Sequence, residues 1–295
     1  MAPATSPNGA EPVRLRTFAR SGLTFEVTDG GTADGEPVVL LHGWPGGGET
    51  WDEVAPLLAD HRHRTLVPDQ RGYCAGARPS GVRPYRLGEL ADDVIALLDA
   101  AGLDRAHVVG HDWGGAVAWA LARVAPERLA TLTVLSTPHP AALARSWRAS
   151  DQALRSAYVA GLQLPVVPER LLLARHGDAF RSLLRRSGLS ADRAARYVER
   201  QRQPGALTAS LAWYRALRLA GRRPRGDVSV PTLYVWSDGD TALGRHAAEH
   251  TGDHVTGPYR FEVLEGVSHW MPEEAPARTA ELIAGHVAAH PASGP

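Results

Sequence analysis

The stretch HVVGHDWGGAVAWALARVAPERL (His107–Leu129) decides the fold. Its apolar start leads into Gly110, and the residues after Gly114 repeat apolar side chains with the period of an amphipathic helix. Asp112 stands between these two glycines. A side chain at the tip of a tight strand–turn–helix connection needs small neighbours at this spacing, because it is lifted off the sheet. The sequence therefore predicts a sharp turn that presents Asp112 at the end of a strand.

The chemistry of Asp112 follows from its charge. An ionised carboxylate needs no base to act as a nucleophile. The helix that follows would direct its N-terminal amides toward the carboxylate and favour a negative charge there. The alternative is that Asp112 only caps the helix. The polar residues at the other strand ends favour the nucleophile.

The composition limits the class of protein. A length of 295 residues with 44% hydrophobic content suits one large α/β domain, or such a domain with an insertion. The formal net charge is zero, so no nucleic acid or anionic membrane is expected as a partner. Cys74 is the single cysteine, and no apolar run approaches the roughly 20 residues that cross a bilayer. We expect a cytoplasmic protein with a flexible tail at residues 1–11.

Short apolar runs alternate with helical patterns over most of the chain. The candidate strands are Val13–Phe18, Leu23–Thr28, Val38–Leu41, Arg64–Val67, Ala106–Val109, Thr131–Leu135, Thr232–Val235 and Phe261–Leu264. The first two are separated by ARSG, which favours a hairpin. Helical patterns cover Leu87–Ala101, Gly114–Val124 and Thr279–Ala289. This alternation predicts the α/β class, with a mostly parallel sheet covered by helices on both faces.

The alternation stops between Ala141 and Pro224, where the sequence is rich in Leu, Ala and Arg. We expect a helical cap at 141–224, inserted into a core formed by residues 12–140 and 225–291. The cap carries sixteen arginines against five acidic residues. A basic cap is either a solvated surface or a means of attracting an acidic substrate.

Polar segments follow several of the candidate strands. Ligands of doubly wound sheets bind at the carboxyl ends of the strands, so these segments are expected to share one site. Asp238 and Asp240 follow one late strand, and His269 follows the last. A histidine beside a carboxylate can activate water. The chain order is therefore nucleophile, acid, histidine, with either aspartate as the acid.

These motifs resemble those of the α/β-hydrolase superfamily and, within it, the epoxide hydrolases. HGWP resembles the family's HGxP motif, GHDWGG its nucleophile elbow, DGDTAL its acid loop and GVSHW its histidine loop. The resemblance spans roughly Val13 to Ala289. It implies an oxyanion hole formed by the backbone N–H groups of Trp44 and Trp113. It also implies a cis bond before Pro45 and favours Asp240 as the acid.

The resemblance extends to two tyrosines of the cap. Epoxide hydrolases carry one tyrosine before a QxP segment and one in a WYR motif, and both donate to the epoxide oxygen. Tyr158 precedes Gln163 and Pro165, and Tyr214 lies in WYR, so both positions match. The resemblance implies that both act in catalysis. Alternatively, Tyr214 is a packing residue of an amphipathic helix.

Other functions remain open. Haloalkane dehalogenases also use an aspartate, and Trp113 matches the tryptophan that follows their nucleophile. However, Trp44 stands where dehalogenases carry Asn. Another hydrolase or cyclase acting on a metabolite epoxide is a further alternative, as is a member that binds ligand without turnover.

The remaining site residues are expected to border the pocket or to support it. These residues are His42, Pro45, His139 and Trp270. His42 would also brace the HGWP motif, and His111 would line or buttress the pocket. Together with the tryptophans, they predict an apolar pocket for an apolar epoxide and water. We expect no cofactor and no metal, since the sequence has no Walker motif, dinucleotide fingerprint or Cys/His cluster. The oligomeric state is expected to be a monomer or homodimer.

Overall fold

The computed structural model describes residues 14–219 and 226–292, so the predicted tail at 1–11 lies outside the described residues. Its strands are β1 (Thr17–Arg20), β2 (Leu23–Gly31), β3 (Glu36–Leu41), β4 (His63–Pro68), β5 (Ala106–His111), β6 (Leu129–Leu135), β7 (Thr232–Gly239) and β8 (Tyr259–Ser268). They form one sheet in the order β1-β2-β4-β3-β5-β6-β7-β8. Only the β1–β2 and β2–β4 pairs are antiparallel. The predicted α/β class with a mostly parallel sheet is confirmed.

Helices occur in two groups. Those that alternate with strands are α1 (Val54–Asp60), α2 (Leu87–Ala100), α3 (Trp113–Val124), α11 (Arg245–Glu249), α12 (Met271–Glu274) and α13 (Pro276–Ala289). Those between β6 and β7 are α4 (Pro140–Ala149), α5 (Gln152–Arg155), α6 (Tyr158–Leu162), α7 (Val167–Leu173), α8 (Asp178–Arg186), α9 (Ala191–Arg202) and α10 (Ala206–Ala216). We refer to the second group as the cap helices. No helix in the described ranges is long and apolar enough to span a membrane.

The sheet is buried on both faces because its strands are apolar at consecutive positions. In β3, Val39 and Leu41 belong to the cluster that contains the inner faces of α2 and α3. Val38 and Leu40 belong to the opposite cluster, with α1 and α13. All four side chains are fully buried, and burying each contributes about 1.5–3 kcal/mol. This two-sided packing fixes the strand ends from which the site is built.

The first hairpin differs from the prediction. The strand expected at Val13–Phe18 begins later, at Thr17, and continues to Arg20. The chain then turns through Ser21 and Gly22, which have φ values of 52° and 76°. Positive φ at both central residues is typical of a tight two-residue hairpin turn. The SG pair alone makes the turn, so the strand includes residues that the sequence analysis assigned to the loop.

Candidate active site

The turn after β5 has the geometry that the sequence predicts. Asp112 adopts φ 51° and ψ −119°, an unusual conformation for a residue with a side chain, and α3 begins at the next residue. A Cβ atom on Gly110 would lie 2.3 Å from the Gly114 carbonyl oxygen. One on Gly114 would lie 2.1 Å from the Leu41 carbonyl oxygen. Both positions therefore require glycine, and the turn they permit lifts Asp112 above the sheet.

The Asp112 carboxylate lies among polar partners. Its Oδ1 accepts a hydrogen bond of 2.8 Å from the backbone N–H of Trp44, and the N–H of Trp113 is a second donor. Its Oδ2 lies 3.7 Å from Nε2 of His269, and 18% of the side chain is exposed. Burial raises the pKa of Asp112, although His269 and the two N–H groups oppose that shift. The two N–H groups implied by the resemblance thus meet at this carboxylate.

His269 links Asp112 to one acidic residue only. Its Nδ1 lies 2.8 Å from Oδ2 of Asp240, whose Oδ1 accepts the N–H groups of Ala242 and Leu243 at 2.7 and 2.9 Å. Asp238 instead accepts the N–H of Gly266 at 2.7 Å at an exposed position. The structure therefore brings Asp240, not Asp238, to the histidine.

His269 and Asp240 stabilise each other's charged form. Burial opposes the charged form of His269, but the carboxylates of Asp240 and Asp112 outweigh it and raise the pKa of the imidazole to about 9. Burial would likewise raise the pKa of Asp240, but His269 lowers it below its ordinary value. The free site therefore holds a carboxylate, an imidazolium and a second carboxylate in a row.

Ser136 belongs to the same cluster, and the sequence analysis did not single it out. It directly follows β6 with a φ of 73°, and its hydroxyl lies 2.6 Å from Oδ2 of Asp240. The Ser136 hydroxyl oxygen also lies 2.8 Å from Nδ1 of His269. A strained residue at a strand end is a recognisable functional signal, but its φ is visible only in the structure.

The HGWP motif begins a loop that we call the HGWP loop (His42–Trp51). The Trp44–Pro45 bond is cis, as the resemblance implies. His42 is fully buried, and its ring accepts the N–H of Gln70 at 3.1 Å and donates to the Gly43 carbonyl at 3.1 Å. Burial lowers the pKa of His42, so the ring is neutral. His42 braces the start of the loop.

Both candidate tyrosines lie near Asp112. Tyr214, on α10, is buried and packs edge-on against the rings of Trp113 and Trp44, with centroids 4.9 and 5.7 Å away. Tyr158 begins α6, and its ring lies 6.3 Å from that of Tyr214. Burial, and then the charge of Asp112 among other groups, raises the pKa of both hydroxyls. Each tyrosine therefore keeps a proton that it can donate.

Gln163 of the QxP segment connects the two tyrosine segments, because its side-chain amide donates to the backbone oxygen of Tyr214 at 2.9 Å. Tyr158 is 47% exposed as a whole residue, whereas Tyr214 is 4% exposed, so Tyr158 is the more solvent-accessible of the two tyrosines.

The last two pocket candidates lie in different surroundings. Trp270 packs edge-on against His269, with ring centroids 5.1 Å apart, and its indole N–H donates to Ser187 of the cap at 3.0 Å. His139 stacks on His254 at 4.7 Å and caps α4 by accepting the Ala141 N–H. Burial lowers the pKa of His139 to about 3. His139 thus packs against His254 and caps α4, and its place at the border of the pocket stays a prediction.

His111, the last residue of β5, contacts the loop that carries His269. Its Nε2 lies 2.9 Å from the backbone oxygen of His269, and its ring centroid is 4.9 Å from that of His269. Burial lowers the pKa of His111 to about 3, so it is a neutral donor to that carbonyl. It buttresses the histidine loop.

Comparison with known proteins identifies the family and the fold. A family model described as the alpha/beta hydrolase fold matches residues 36–276. The AB hydrolase superfamily protein YfhM of Bacillus subtilis is 38% identical, over 92% of this chain and 96% of its own length. Epoxide hydrolase A of Mycobacterium tuberculosis is 29% identical, over 91% of this chain and 95% of its own. The crystal structure of epoxide hydrolase A from Mycobacterium thermoresistibile superposes with a TM-score of 0.80 at 25% identity, covering 92% of this chain and 97% of that one.

The chain belongs to the α/β-hydrolase fold family, and several of its relatives are named epoxide hydrolases. The resemblance drawn from the sequence motifs is thereby confirmed.

Proposed function

We propose that this protein hydrolyses an apolar epoxide to a vicinal diol through a covalent ester on Asp112. One observation carries the proposal: the Asp112 carboxylate is bonded to the Trp44 N–H, lies 3.7 Å from the His269 imidazole and is close to two protonated tyrosines. A nucleophile, a base for water and two acids for an alkoxide are the groups that epoxide opening and ester hydrolysis require.

In the first step, Oδ2 of Asp112 attacks the less hindered epoxide carbon from the side opposite the C–O bond that breaks. That oxygen is the free one, since Oδ1 is held by the Trp44 N–H. The electron pair of the broken bond goes to the epoxide oxygen, which takes a proton from Tyr158 or Tyr214. The product is a hydroxyalkyl ester of Asp112 and a tyrosinate.

In the second step, His269 removes a proton from a water molecule that attacks Cγ of the ester. The negative charge moves to Oδ1, where the N–H groups of Trp44 and Trp113 stabilise it. The bond from Cγ to the alkyl-bearing oxygen then breaks, and that oxygen takes the proton from His269. The regenerated carboxyl group gives its remaining proton to His269, which restores the imidazolium, so one water and one epoxide give one diol.

The charge arrangement explains how His269 serves as a base despite its raised pKa. Asp112 is one of the negative charges that hold the proton on the imidazole. Formation of the ester removes this charge, so the pKa of His269 falls, and the imidazolium passes its proton to the tyrosinate before it serves as the base for water. Asp240 remains ionised beside Nδ1 and stabilises the imidazolium that then forms.

Aromatic rings around Asp112 support an apolar substrate. Trp44 stacks on Phe180 at 5.2 Å, and Tyr214 contacts both Trp44 and Trp113. The indole N–H of Trp44 donates to Ser210 at 3.2 Å, so it is already used and is not directed at a leaving halide. Trp44 therefore does not supply the donor that the Asn of dehalogenases supplies at this position, while Trp113 keeps its match to them.

The test is to incubate His269→Gln with a mixed panel of epoxides, haloalkanes and esters, and to measure its intact mass. We expect a gain equal to a whole epoxide, which peptide mapping locates on Asp112, because alkylation proceeds while ester hydrolysis does not. A gain equal to an alkyl group without its halide would make the protein a dehalogenase. Epoxide binding without any adduct would contradict the proposed chemistry.

A further inference from the structure

The HGWP loop carries the Trp44 N–H, but its own sequence gives it little rigidity. Three consecutive glycines, Gly46, Gly47 and Gly48, follow the HGWP motif. Glycine loses more backbone freedom on folding than other residues. An N–H donor that must stay fixed during catalysis therefore needs support from outside the loop.

One helix of the cap supplies this support. Arg193, Tyr197, Arg200 and Gln201 lie on one face of α9, since residues three or four positions apart are neighbours on a helix. Arg193 donates to the Glu49 carbonyl at 2.8 Å, and Tyr197 lies 3.0 Å from the Thr50 hydroxyl. Arg200 binds both carboxylate oxygens of Glu49, at 2.8 and 2.6 Å.

The glycines make room for these cap side chains. A Cβ atom on Gly46 would lie 2.8 Å from Cζ of Tyr197. One on Gly47 would lie 2.4 Å from the guanidinium carbon of Arg200. The close approach of α9 thus explains the first two glycines, Gly46 and Gly47.

Of these α9 contacts, the one closest to Trp44 along the chain is made by Gln201. Its side-chain amide donates to the Pro45 carbonyl at 2.6 Å, and its oxygen accepts the Ser210 hydroxyl at 2.9 Å. Ser210 in turn accepts the indole N–H of Trp44 at 3.2 Å. Gln201 and Ser210 are 1% and 0% exposed, so this network is shielded from water. It holds both the side chain of Trp44 and the Pro45–Gly46 peptide, one residue further along the loop.

We propose that Gln201 and Ser210 of the cap are positioning residues that fix the Trp44 N–H for the oxyanion of ester hydrolysis. The inference rests on the proposed function. In this arrangement the cap completes the oxyanion hole of the core, in addition to carrying the two tyrosines.

The two chemical steps depend differently on this donor. Negative charge builds up on Oδ1 of Asp112 only when water attacks the ester, whereas alkylation consumes charge on the carboxylate. A misplaced Trp44 N–H therefore slows hydrolysis more than alkylation. We expect the hydrolysis rate constant to fall by about 10- to 100-fold, with alkylation changing by less than about threefold.

The experiment measures both rate constants in single turnovers of Gln201→Leu and Ser210→Ala, by rapid quenching and intact mass. The substrate is an epoxide that forms an adduct with His269→Gln. The expected result is that the alkyl-enzyme accumulates in both variants. Gln203→Leu is the matched control, because Gln203 directly follows the same helix but is exposed and accepts from Arg78 at 2.8 Å. It should hydrolyse the ester at the wild-type rate.

The outcomes separate the two proposals. Equal loss of both rate constants, or unchanged hydrolysis in folded Ser210→Ala, would overturn the positioning role. Ser210→Ala removes one hydroxyl only, so it decides the question even if Gln201→Leu does not fold. Failure of His269→Gln to form an ester with any epoxide would instead contradict the proposed function.

Discussion

At the scale of single residues, the site shows how neighbours in sequence acquire different chemistry. Asp238 and Asp240 lie in one short segment, yet only Asp240 contacts His269. Two backbone N–H groups and the Ser136 hydroxyl satisfy its remaining acceptors. A carboxylate with this many donors stays ionised and orients the imidazole, as the acid of a catalytic triad does.

We therefore expect Asp240→Asn to lower the rate of ester hydrolysis by about 10²- to 10⁴-fold, because the histidine loses its orienting charge. Asp238→Asn is the matched control, and its rate should stay within about threefold of wild type, since Asp238 is exposed and accepts the Gly266 N–H, away from His269. Steady-state diol formation measures both. Comparable losses in the two variants would contradict the assignment.

Residues recognised from sequence and residues missed differ in a physical way. Asp112 and His269 follow apolar strands, so local pattern and sheet geometry suffice to single them out, whereas the same pattern left Asp238 and Asp240 both open as the acid. Ser136 acts through two residues more than 100 positions away along the chain. No local pattern encodes such a contact, and the same reason explains why Gln201 was not found.

At the scale of elements, boundaries were predictable where a periodic pattern ends at a clear signal. The helix predicted at Leu87–Ala101 is observed at Leu87–Ala100, and that predicted at Gly114–Val124 begins one residue earlier. The strand predicted at Phe261–Leu264 extends instead over Tyr259–Ser268. Its outer residues pair with β7 without being strongly apolar, so hydrophobicity alone could not reveal them.

A glycine in the interior of α13 allows the contribution of helix propensity to stability to be tested. Gly285 is exposed in its interior, and a Cβ atom there would meet no atom within 4 Å. Gly285→Ala should raise the free energy of unfolding by about 0.5–1 kcal/mol, because alanine restricts the unfolded chain and favours the helix. Urea denaturation measures this change.

Gly114→Ala, in α3, is the contrasting variant. Its Cβ would lie 2.1 Å from the Leu41 carbonyl oxygen, so it should destabilise the protein strongly. Stabilisation by both substitutions, or by neither, would mean that the packing around these helices differs from that described.

At the scale of the whole molecule, two of the cap helices, α9 and α5, form polar contacts with loops of the core. At the first contact, side chains of α9 donate hydrogen bonds to the HGWP loop. At the second contact, Gln152 of α5 donates to the Ala242 carbonyl and accepts the Gly244 N–H, both at 2.8 Å. Both attachments hold loops that carry groups of the proposed mechanism. The core and the cap therefore form one functional unit although the cap is an insertion in sequence.

The basic composition of the cap has a structural explanation for α9. Arg193 pairs with Glu53, and Arg200 pairs with Glu49 and Asp69, so these arginines face acids of the core. The sequence revealed the excess of arginine but not its partners, because the acids lie more than 100 residues earlier. Arg193 and Arg200 therefore attach the cap to the core, and are neither a solvated surface nor a means of attracting an acidic substrate.

Arg200 offers a test of this attachment. Its side chain is 21% exposed, and those of Glu49 and Asp69 are 16% and 14% exposed, so its removal leaves two largely buried carboxylates without their main partner. We expect Arg200→Leu to lower the free energy of unfolding by about 2–4 kcal/mol at neutral pH. Arg202→Leu, which breaks an exposed pair with Glu199, should change it by less than about 0.5 kcal/mol.

The same substitution should change the dependence of stability on acid. Burial alone would raise the pKa of Asp69, but Arg200 outweighs it and holds the pKa below its ordinary value. A lowered folded-state pKa contributes stability that is present above the unfolded pKa of about 3.9 and is lost as the pH falls through the folded value. In Arg200→Leu this contribution disappears, and burial then favours the protonated carboxyl.

The difference in stability between wild type and Arg200→Leu should therefore shrink as the pH is lowered from 7 to about 4. Urea denaturation across this range measures it, with Arg202→Leu as the reference for a surface charge. A constant difference would mean that Arg200 stabilises the cap by packing its aliphatic stem, and not through the charge of Asp69.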